Sequence, residues 1–269
     1  SITNAFTTDS NGSKTFSSSN ASSATINSSS GSVVIVAVGN TTMSVNLAET
    51  NEYTSANDNY TLTTNPKTLT ATASASNKVY DGLTTATTTL TLSGLVGSET
   101  LGQTVGSTFS DKNVGTGKTV TVNSITLADG TNGGLASNYS ISSGQTTTAN
   151  ITAKTLTVSG ITASDKTYDA TTAATLGTGT VVYGGLVSGD TLTGTYSGVF
   201  NNANVGSGKT VTITSSYSGT DVNNYTITDQ ASTTADVTAK TLTATASASN
   251  KVYDASNAAT STLILSGFI

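Results

Sequence analysis

A chain of 269 residues with a net charge of −5 carries no His, Cys, Trp or Arg, and its ten basic residues are all lysines. These absences exclude a disulfide framework, a thiolate nucleophile and the usual zinc or copper ligand sets, and they leave no basic patch for nucleic acid. No apolar run approaches the roughly 18 residues that span a bilayer, so no membrane insertion is expected. Hydrophobic residues at 35% and charged residues at 9% are both scarce, with Ser, Thr, Asn, Gly and Ala filling the gap. Weak charge argues against disorder, and abundant Thr, Val, Ile, Leu and Tyr suit half-buried strands. An all-β fold follows. With no His, no Cys and no convergent pair of acids, neither an enzyme nor a cofactor is expected.

The chain opens at Ser1 without an initiator Met or a signal-peptide pattern, as expected of a mature piece or an excerpt. Within residues 1–66 the most apolar stretch, "VVIVAV" at 33–38, reads as a short buried strand, and "NDNYTL" follows at 57–62. This segment has no Tyr-Asp turn and is taken as a partial N-terminal β unit. It closes on the single proline, Pro66.

From residue 67 the chain repeats itself. "KTLT" begins at Lys67, Lys154 and Lys240, 87 and then 86 residues apart. A Tyr-Asp turn follows each start, as "NKVYDG" (77–82), "DKTYDA" (165–170) and "NKVYDA" (250–255). "NVGTGKTVTV" at 113–122 returns as "NVGSGKTVTI" at 204–213, and "SNYSI" at 137–141 as "NNYTI" at 223–227. The period divides the chain into repeat units 67–153 and 154–239 and an unfinished unit 240–269. A unit of this size is too long for one solenoid coil and large enough for its own core.

The unit starting at Lys67 holds six alternating runs: "TLTATA", "TTTLTL", "TVGSTF", "KTVTV", "NYSIS" and "TTTANITA". Gly, Asn, Asp and Ser separate them, which predicts tandem Ig-like β-sandwich domains, with a β-grasp-like unit as the alternative. At the junction "ANITAKTLTV" the apolar positions shift from odd (Ala149, Ile151, Ala153) to even (Leu156, Val158). A one-residue slip exchanges a strand's faces, so one unit's last strand is expected to run into the next unit's first. No Gly- or Pro-rich linker intervenes between these units, and a stiff rod is the expectation.

Residues 67–81 and 240–254 are identical, and the second copy stops at "LSGFI" after two predicted strands, too few to bury a core. Either the chain is an excerpt of a longer array, the favoured reading, or this segment completes the N-terminal partial unit of a neighbouring chain by donor-strand complementation.

"KTLT…NKVYDG…LSGL…KNVGTGKTVTV…NYSI…ITAKTLT" resembles the YDG repeat of large, secreted, filamentous-haemagglutinin-like bacterial adhesins, and is similar to the related MBG repeats. The resemblance covers residues 67–239, with 240–269 as a fragment. It implies a stalk or filament segment, extracellular or at the cell surface, serving adhesion or biofilm matrix. Its partners would be neighbouring repeats or identical chains in a fibre. The family supplies no catalytic residues, and "YDA" at Asp169-Ala170 and Asp254-Ala255 argues against an obligatory glycine conformation there. A module binding glycans or proteins through its loops is the alternative.

Each candidate site has a plain structural counterpart. Tyr80-Asp81, Tyr168-Asp169 and Tyr253-Asp254 could hold a ligand or calcium, but repetition in register favours a turn in which Asp bonds the backbone and Tyr packs at the core edge. "GTGKT" (115–119) and "GSGKT" (206–210) lack the leading glycine of a P-loop, having Lys112 and Ala203 there, and precede strand-like runs. Lys67 and Lys154 could form isopeptide bonds with Asn138 and Asn224, assisted by Asp81 or Asp169, though such chemistry needs a buried, neutral amine. The Thr-x-Thr runs match an ice-binding pattern, but an 86-residue period gives no flat ladder.

Overall fold

The computed structural model describes residues 2–3 and 7–269, and its chain forms two compact units. Among the described residues every long element is a strand; the only helical pieces are two 3₁₀ turns, Ala136–Asn138 and Val222–Asn224. Among the described residues no helix is long and apolar enough to cross a membrane.

Unit 1 comprises Ser1–Lys78, Thr84–Asp111 and Thr116–Asn150. Its N-terminal part builds two three-stranded sheets. In one, Gly39–Leu47 lies between Lys14–Ser18 and Ala56–Thr64; in the other, Ser32–Ile35 lies between Ile2–Thr3 and Ala24–Ile26. Ala24, Val33 and Met43 are buried together, with Ile26 and Leu62 packed against them. The stretch at 33–38 departs from the expected buried strand. Val33 is buried, but Val34 is 54% exposed, and Ile35 and Val36 are exposed too. The pleat turns alternate side chains outward, and at Val36 the chain leaves the sheet, with the Val36 and Ala37 amides both donating to the Ser23 carbonyl (2.9 and 3.0 Å).

The two repeats share one plan. In the first, a five-stranded sheet runs in the order Thr85–Ala86, Leu101–Phe109, Gly115–Asp129, Thr146–Thr152, Lys78–Val79. The second repeats it with Ala173–Ala174, Thr193–Phe200, Gly206–Ser218, Ser232–Thr238 and Lys166–Thr167. The opposing layer of the first repeat holds the hairpin Thr70–Ala75 with Thr88–Ser93, and Lys67–Thr68 parallel to Tyr139–Ser140. In the second repeat Lys154–Ser159 pairs antiparallel with Val182–Gly184 and parallel with Tyr225–Thr228. The fold is all-β, with tandem β-sandwich repeats. All six alternating runs of the first repeat form strands, because period-two alternation buries one face of each. Leu69, Leu90, Phe109, Val120, Val122, Tyr139 and Ala149 are the buried apolar set of this repeat in unit 1.

Unit 2 comprises Val79–Leu83, Lys112–Gly115 and Ile151–Ile269. Phe200, Val211, Ala235 and Val237 form its buried cluster, with Ala163, Tyr168, Ala174 and Leu176 packed against it. The predicted phase change is visible in the strands themselves. Thr146–Thr152 ends one residue before Lys154–Ser159 begins, with Ala149 and Ile151 buried in the first and Leu156 and Val158 in the second. After Thr238 the chain forms a hairpin, Thr243–Ala248 with Ser261–Ser266, whose residues are all exposed.

One sequence expectation is corrected at the turns. Gly82, Ala170 and Ala255 all have positive φ, at 78°, 61° and 60°. The left-handed conformation is therefore common to all three copies, and alanine adopts it at a cost because its Cβ crowds the following carbonyl. Glycine relieves that crowding but gives the unfolded chain more freedom. Ala170→Gly should thus stabilise unit 2 by a net ~0.5–1 kcal/mol, seen as a higher melting temperature by circular dichroism. Gly82→Ala should lower it, since the new Cβ would also stand 2.9 Å from Val187 Cγ1.

Candidate functional site

The sequence period assigns the Tyr-Asp turn at 79–83 and the loop at 112–115 to the first repeat, yet both segments belong to unit 2. The turn is held by its own aspartate. Asp81 Oδ1 accepts the Leu83 amide at 2.9 Å, as Asp169 accepts that of Thr171 (2.9 Å) and Asp254 that of Ser256 (3.0 Å). Lys166 and Lys251 brace their turns through 2.8 Å contacts to Asp169 and Asp254. The Tyr80 amide donates to the Thr152 carbonyl, and that of Tyr168 to Thr238, both at 2.8 Å. The first two turns therefore hang from the last strands of their own repeats; Tyr168 packs against the buried cluster of its repeat.

The ring of Tyr80 is 1% exposed, and its hydroxyl donates to Asp190 Oδ2 at 2.8 Å. Tyr225 donates to the same oxygen at 2.6 Å while accepting the Val187 amide at 2.9 Å. The two rings meet edge to face with centroids 5.6 Å apart, a favoured aromatic geometry. Lys112 Nζ contacts Asp190 Oδ1 at 3.3 Å and Asp221 Oδ1 at 3.2 Å, and lies 5.9 Å from the Tyr80 ring centre. Beside it, the Val114 amide donates to Asn224 Oδ1 (2.9 Å), and Asn224 Nδ2 donates to Asn113 (3.2 Å).

Unit 1 contains a second, sparser version. Glu99 stands in "GLVGSETL" where Asp190 stands in "GLVSGDTL". Tyr139 donates to Glu99 and accepts the Val96 amide at 3.0 Å. The Val38 amide donates to Asn138 Oδ1 at 2.8 Å, as Val114 does to Asn224. Thus a Val-Gly pair, Val38-Gly39 or Val114-Gly115, docks twice on the asparagine that precedes a buried tyrosine.

The electrostatics describe a clamp. Burial, and then the bond to Asp190, raise the Tyr80 phenol and push that of Tyr225 up to about 12. Hydrogen bonding to Asp221 raises Lys112 and lowers Asp221 in turn. Lys112 is therefore a charged ammonium, which cannot attack a carboxyl group. Among the described residues no group of three or more acidic side chains could hold a metal.

The other sequence candidates are placed as follows. Lys67 and Lys154 sit beside Tyr139 and Tyr225 in the parallel register, next to Asn138 and Asn224 in sequence, but those amides bind Val38 and Val114. The P-loop-like segments open long strands, with Gly117 at φ 60° and Gly208 at φ 58°, and the second opens at a register shift between Gly206 and Lys209. Their lysines fold back onto their own loops: Lys118 contacts Asp111 at 2.6 Å, and Lys209 contacts Asn202 at 2.5 Å and the Asn204 carbonyl. Tyr80 is buried and Tyr168 half-buried, while Tyr253 is 91% exposed. Sequence reasoning passed over the acid at 99 and 190, whose signal was an acidic residue kept at one repeat position in a chain with only fifteen acids.

The phenols fix the sign of an alkaline pH dependence. An unfolded tyrosine ionises near pH ~10, whereas folded Tyr225 holds its proton to about 12. Between those values the unfolded chain binds fewer protons, so stability is complete below pH ~10 and falls as pH rises through the folded pKa. Urea titrations across that range should show a falling midpoint, and Tyr225→Phe should flatten the decline. Ultraviolet titration should find a late-ionising tyrosine that the variant lacks.

The YDG domain family matches the chain twice, at residues 65–149 and 152–235. No curated protein matches it. Among solved structures, Drosophila N-cadherin EC1-3 is 9% identical, with 87% of this chain and 91% of that one covered at a TM-score of 0.28. Domains 4–9 of the surface layer protein SbsC are 15% identical over 87% of this chain and 40% of that one, at a TM-score of 0.19. The two family matches span more than half of the residues, and the chain belongs to the YDG domain family.

Proposed function

We propose that this tandem is a mechanical spacer, a repeat segment of an extracellular bacterial adhesin or filament without catalytic activity. The observation that carries the reading is the recurrence of one hydrogen-bonded device. A Val-Gly amide on an asparagine, beside a tyrosine on a carboxylate, occurs once in each unit. Such a device suits load bearing, because its bonds tie a loop of one sequence repeat to the body of the next. The lack of linker composition between repeats supports stiffness. Neighbouring repeats or identical chains are the expected partners, and a bacterial surface or matrix the expected location.

A second reading, a module binding glycans or proteins, draws on a feature of the second repeat. Tyr183 and Tyr196 share a 3.0 Å hydroxyl contact, and the rings of Tyr196 and Tyr217 meet edge to face at 6.2 Å. Tyr217 is spent on Asp229, and Tyr183 accepts the Gly194 amide, so few phenol hydrogen bonds remain for a ligand. The spacer reading is therefore preferred.

Single-molecule stretching of the chain between inert handles tests it. Two discrete unfolding events of repeat size, with peak forces lowered by Asp190→Ala, are expected of a load-bearing spacer. Featureless extension would contradict the reading. Antibodies raised against the repeats should also label intact cells that produce the protein.

A further inference from the structure

We propose that Tyr183 and Tyr196 form an oxidative crosslinking site, where one-electron oxidation driven by a peroxide joins the two phenols into an intramolecular dityrosine. Three of the chain's ten tyrosines, Tyr183, Tyr196 and Tyr217, gather in the second repeat. They are not part of the repeated scaffold. Residues 92–126 and 183–217 align without a gap, and the counterparts of the three tyrosines are Leu92, Val105 and Thr126. The fold therefore requires no phenol at these positions, and none of the three belongs to the Tyr-Asp turn or to the clamp on Asp190. All three are half-buried, held in place yet open to a small oxidant.

The geometry selects one pair among the three. The hydroxyls of Tyr183 and Tyr196 are 3.0 Å apart, which brings together the ring carbons beside each hydroxyl, where a phenoxyl radical couples. Tyr217 instead meets Tyr196 edge to face with centroids 6.2 Å apart, an arrangement that points an edge at a π-face. The Gly194 amide donates to the Tyr183 hydroxyl at 3.0 Å, and Tyr217 donates to Asp229, so both neighbours of Tyr196 are anchored. Tyr183 lies in Val182–Gly184, paired with Lys154–Ser159, and Tyr196 in Thr193–Phe200 of the five-stranded sheet. A bond between them would staple the two layers of the second repeat. In the reaction each phenol gives one hydrogen atom to the oxidant, and the two radicals join carbon to carbon beside their hydroxyls. Each ring then loses the proton at the new bond and regains its O–H. Two electrons and two protons pass to one hydrogen peroxide, which becomes two waters. The inference goes beyond the spacer reading and does not rest on it, because the unoxidised chain would stretch as described above in either case.

Treatment of the dilute, intact chain with hydrogen peroxide and a haem peroxidase tests the proposal, with free tyrosine oxidised in parallel to show that the oxidant is active. The monomer should lose two hydrogens in mass, gain dityrosine fluorescence and yield a peptide that joins Tyr183 to Tyr196. Held proximity should make that yield about tenfold or more higher in the native chain than in urea, each normalised to free tyrosine under the same conditions. Tyr183→Phe keeps the ring and removes the hydroxyl, and the monomer's mass loss should vanish with it. The wild-type comparison with urea needs no variant, so the test stands even if the substitution disturbs folding. Absence of the joined peptide from the folded chain, an equal yield in urea, a link from Tyr196 to Tyr217 in its place, or a mass loss that survives Tyr183→Phe would each overturn the proposal.

Discussion

A carboxylate taken out of water loses hydration worth several kcal/mol, and it stays charged only where enough donors replace that shell. Asp190, whose side chain is 3% exposed, finds three: the hydroxyls of Tyr80 and Tyr225 and the ammonium of Lys112. Two of the three come from segments that the sequence period places in the preceding repeat. The requirement to satisfy one buried acid thus draws the 79–83 turn and the 112–115 loop into unit 2. Excising residues 154–239 at the repeat boundary would leave Asp190 with Tyr225 alone. The unit of sequence and the unit of packing are offset by these two loops.

The turn geometry follows from the same demand. For Tyr80 to reach Asp190 its backbone must reverse abruptly after the strand, and the Asx hydrogen bond from Asp81 with a left-handed residue behind it achieves this. At Gly82 the missing side chain also leaves room for Val187. Ala170 and Ala255 keep the conformation without the glycine, so the backbone geometry is more constant than the residue that adopts it. The Val-Gly amide and its asparagine recur in both units, whereas the second phenol and the lysine occur in unit 2. The asparagine contact is the common element, and the aromatic clamp is an addition to it.

Much of this architecture was legible in the residues. Alternation of Thr with Leu, Val and Ile marked the strands Thr70–Ala75, Thr88–Ser93, Leu101–Phe109, Gly115–Asp129 and Thr146–Thr152 of the first repeat, because period-two burial is a local property that needs no knowledge of partners. The parity change around Ala153 located a strand that passes from one sheet into another for the same reason. Short pieces such as Lys78–Val79 and Thr85–Ala86 escaped notice, since two residues carry no period. The apolar run at 33–38 misled because hydrophobicity without alternation does not say how many residues a sheet buries; only the first lies inward. The role of Asp190 was the largest omission. A single acid in a Gly-Ser loop looks like an ordinary turn residue, and its partners lie 110 and 35 positions away in sequence. The tyrosine of the Tyr-Asp turn was recognised as repeating scaffold, while its destination beyond its own repeat depended on contacts that no local pattern encodes.

The central claim is that Tyr80 and Asp190 act as a pair that fastens a first-repeat turn into unit 2. A double-mutant cycle on the chain, with Tyr80→Phe, Asp190→Asn and the combination measured by chemical denaturation, addresses it most directly. Both substitutions preserve shape, so the cycle isolates the hydroxyl–carboxylate contact from packing. A coupling of about 1–2 kcal/mol is predicted. Strictly additive effects, with coupling indistinguishable from zero, would contradict the account.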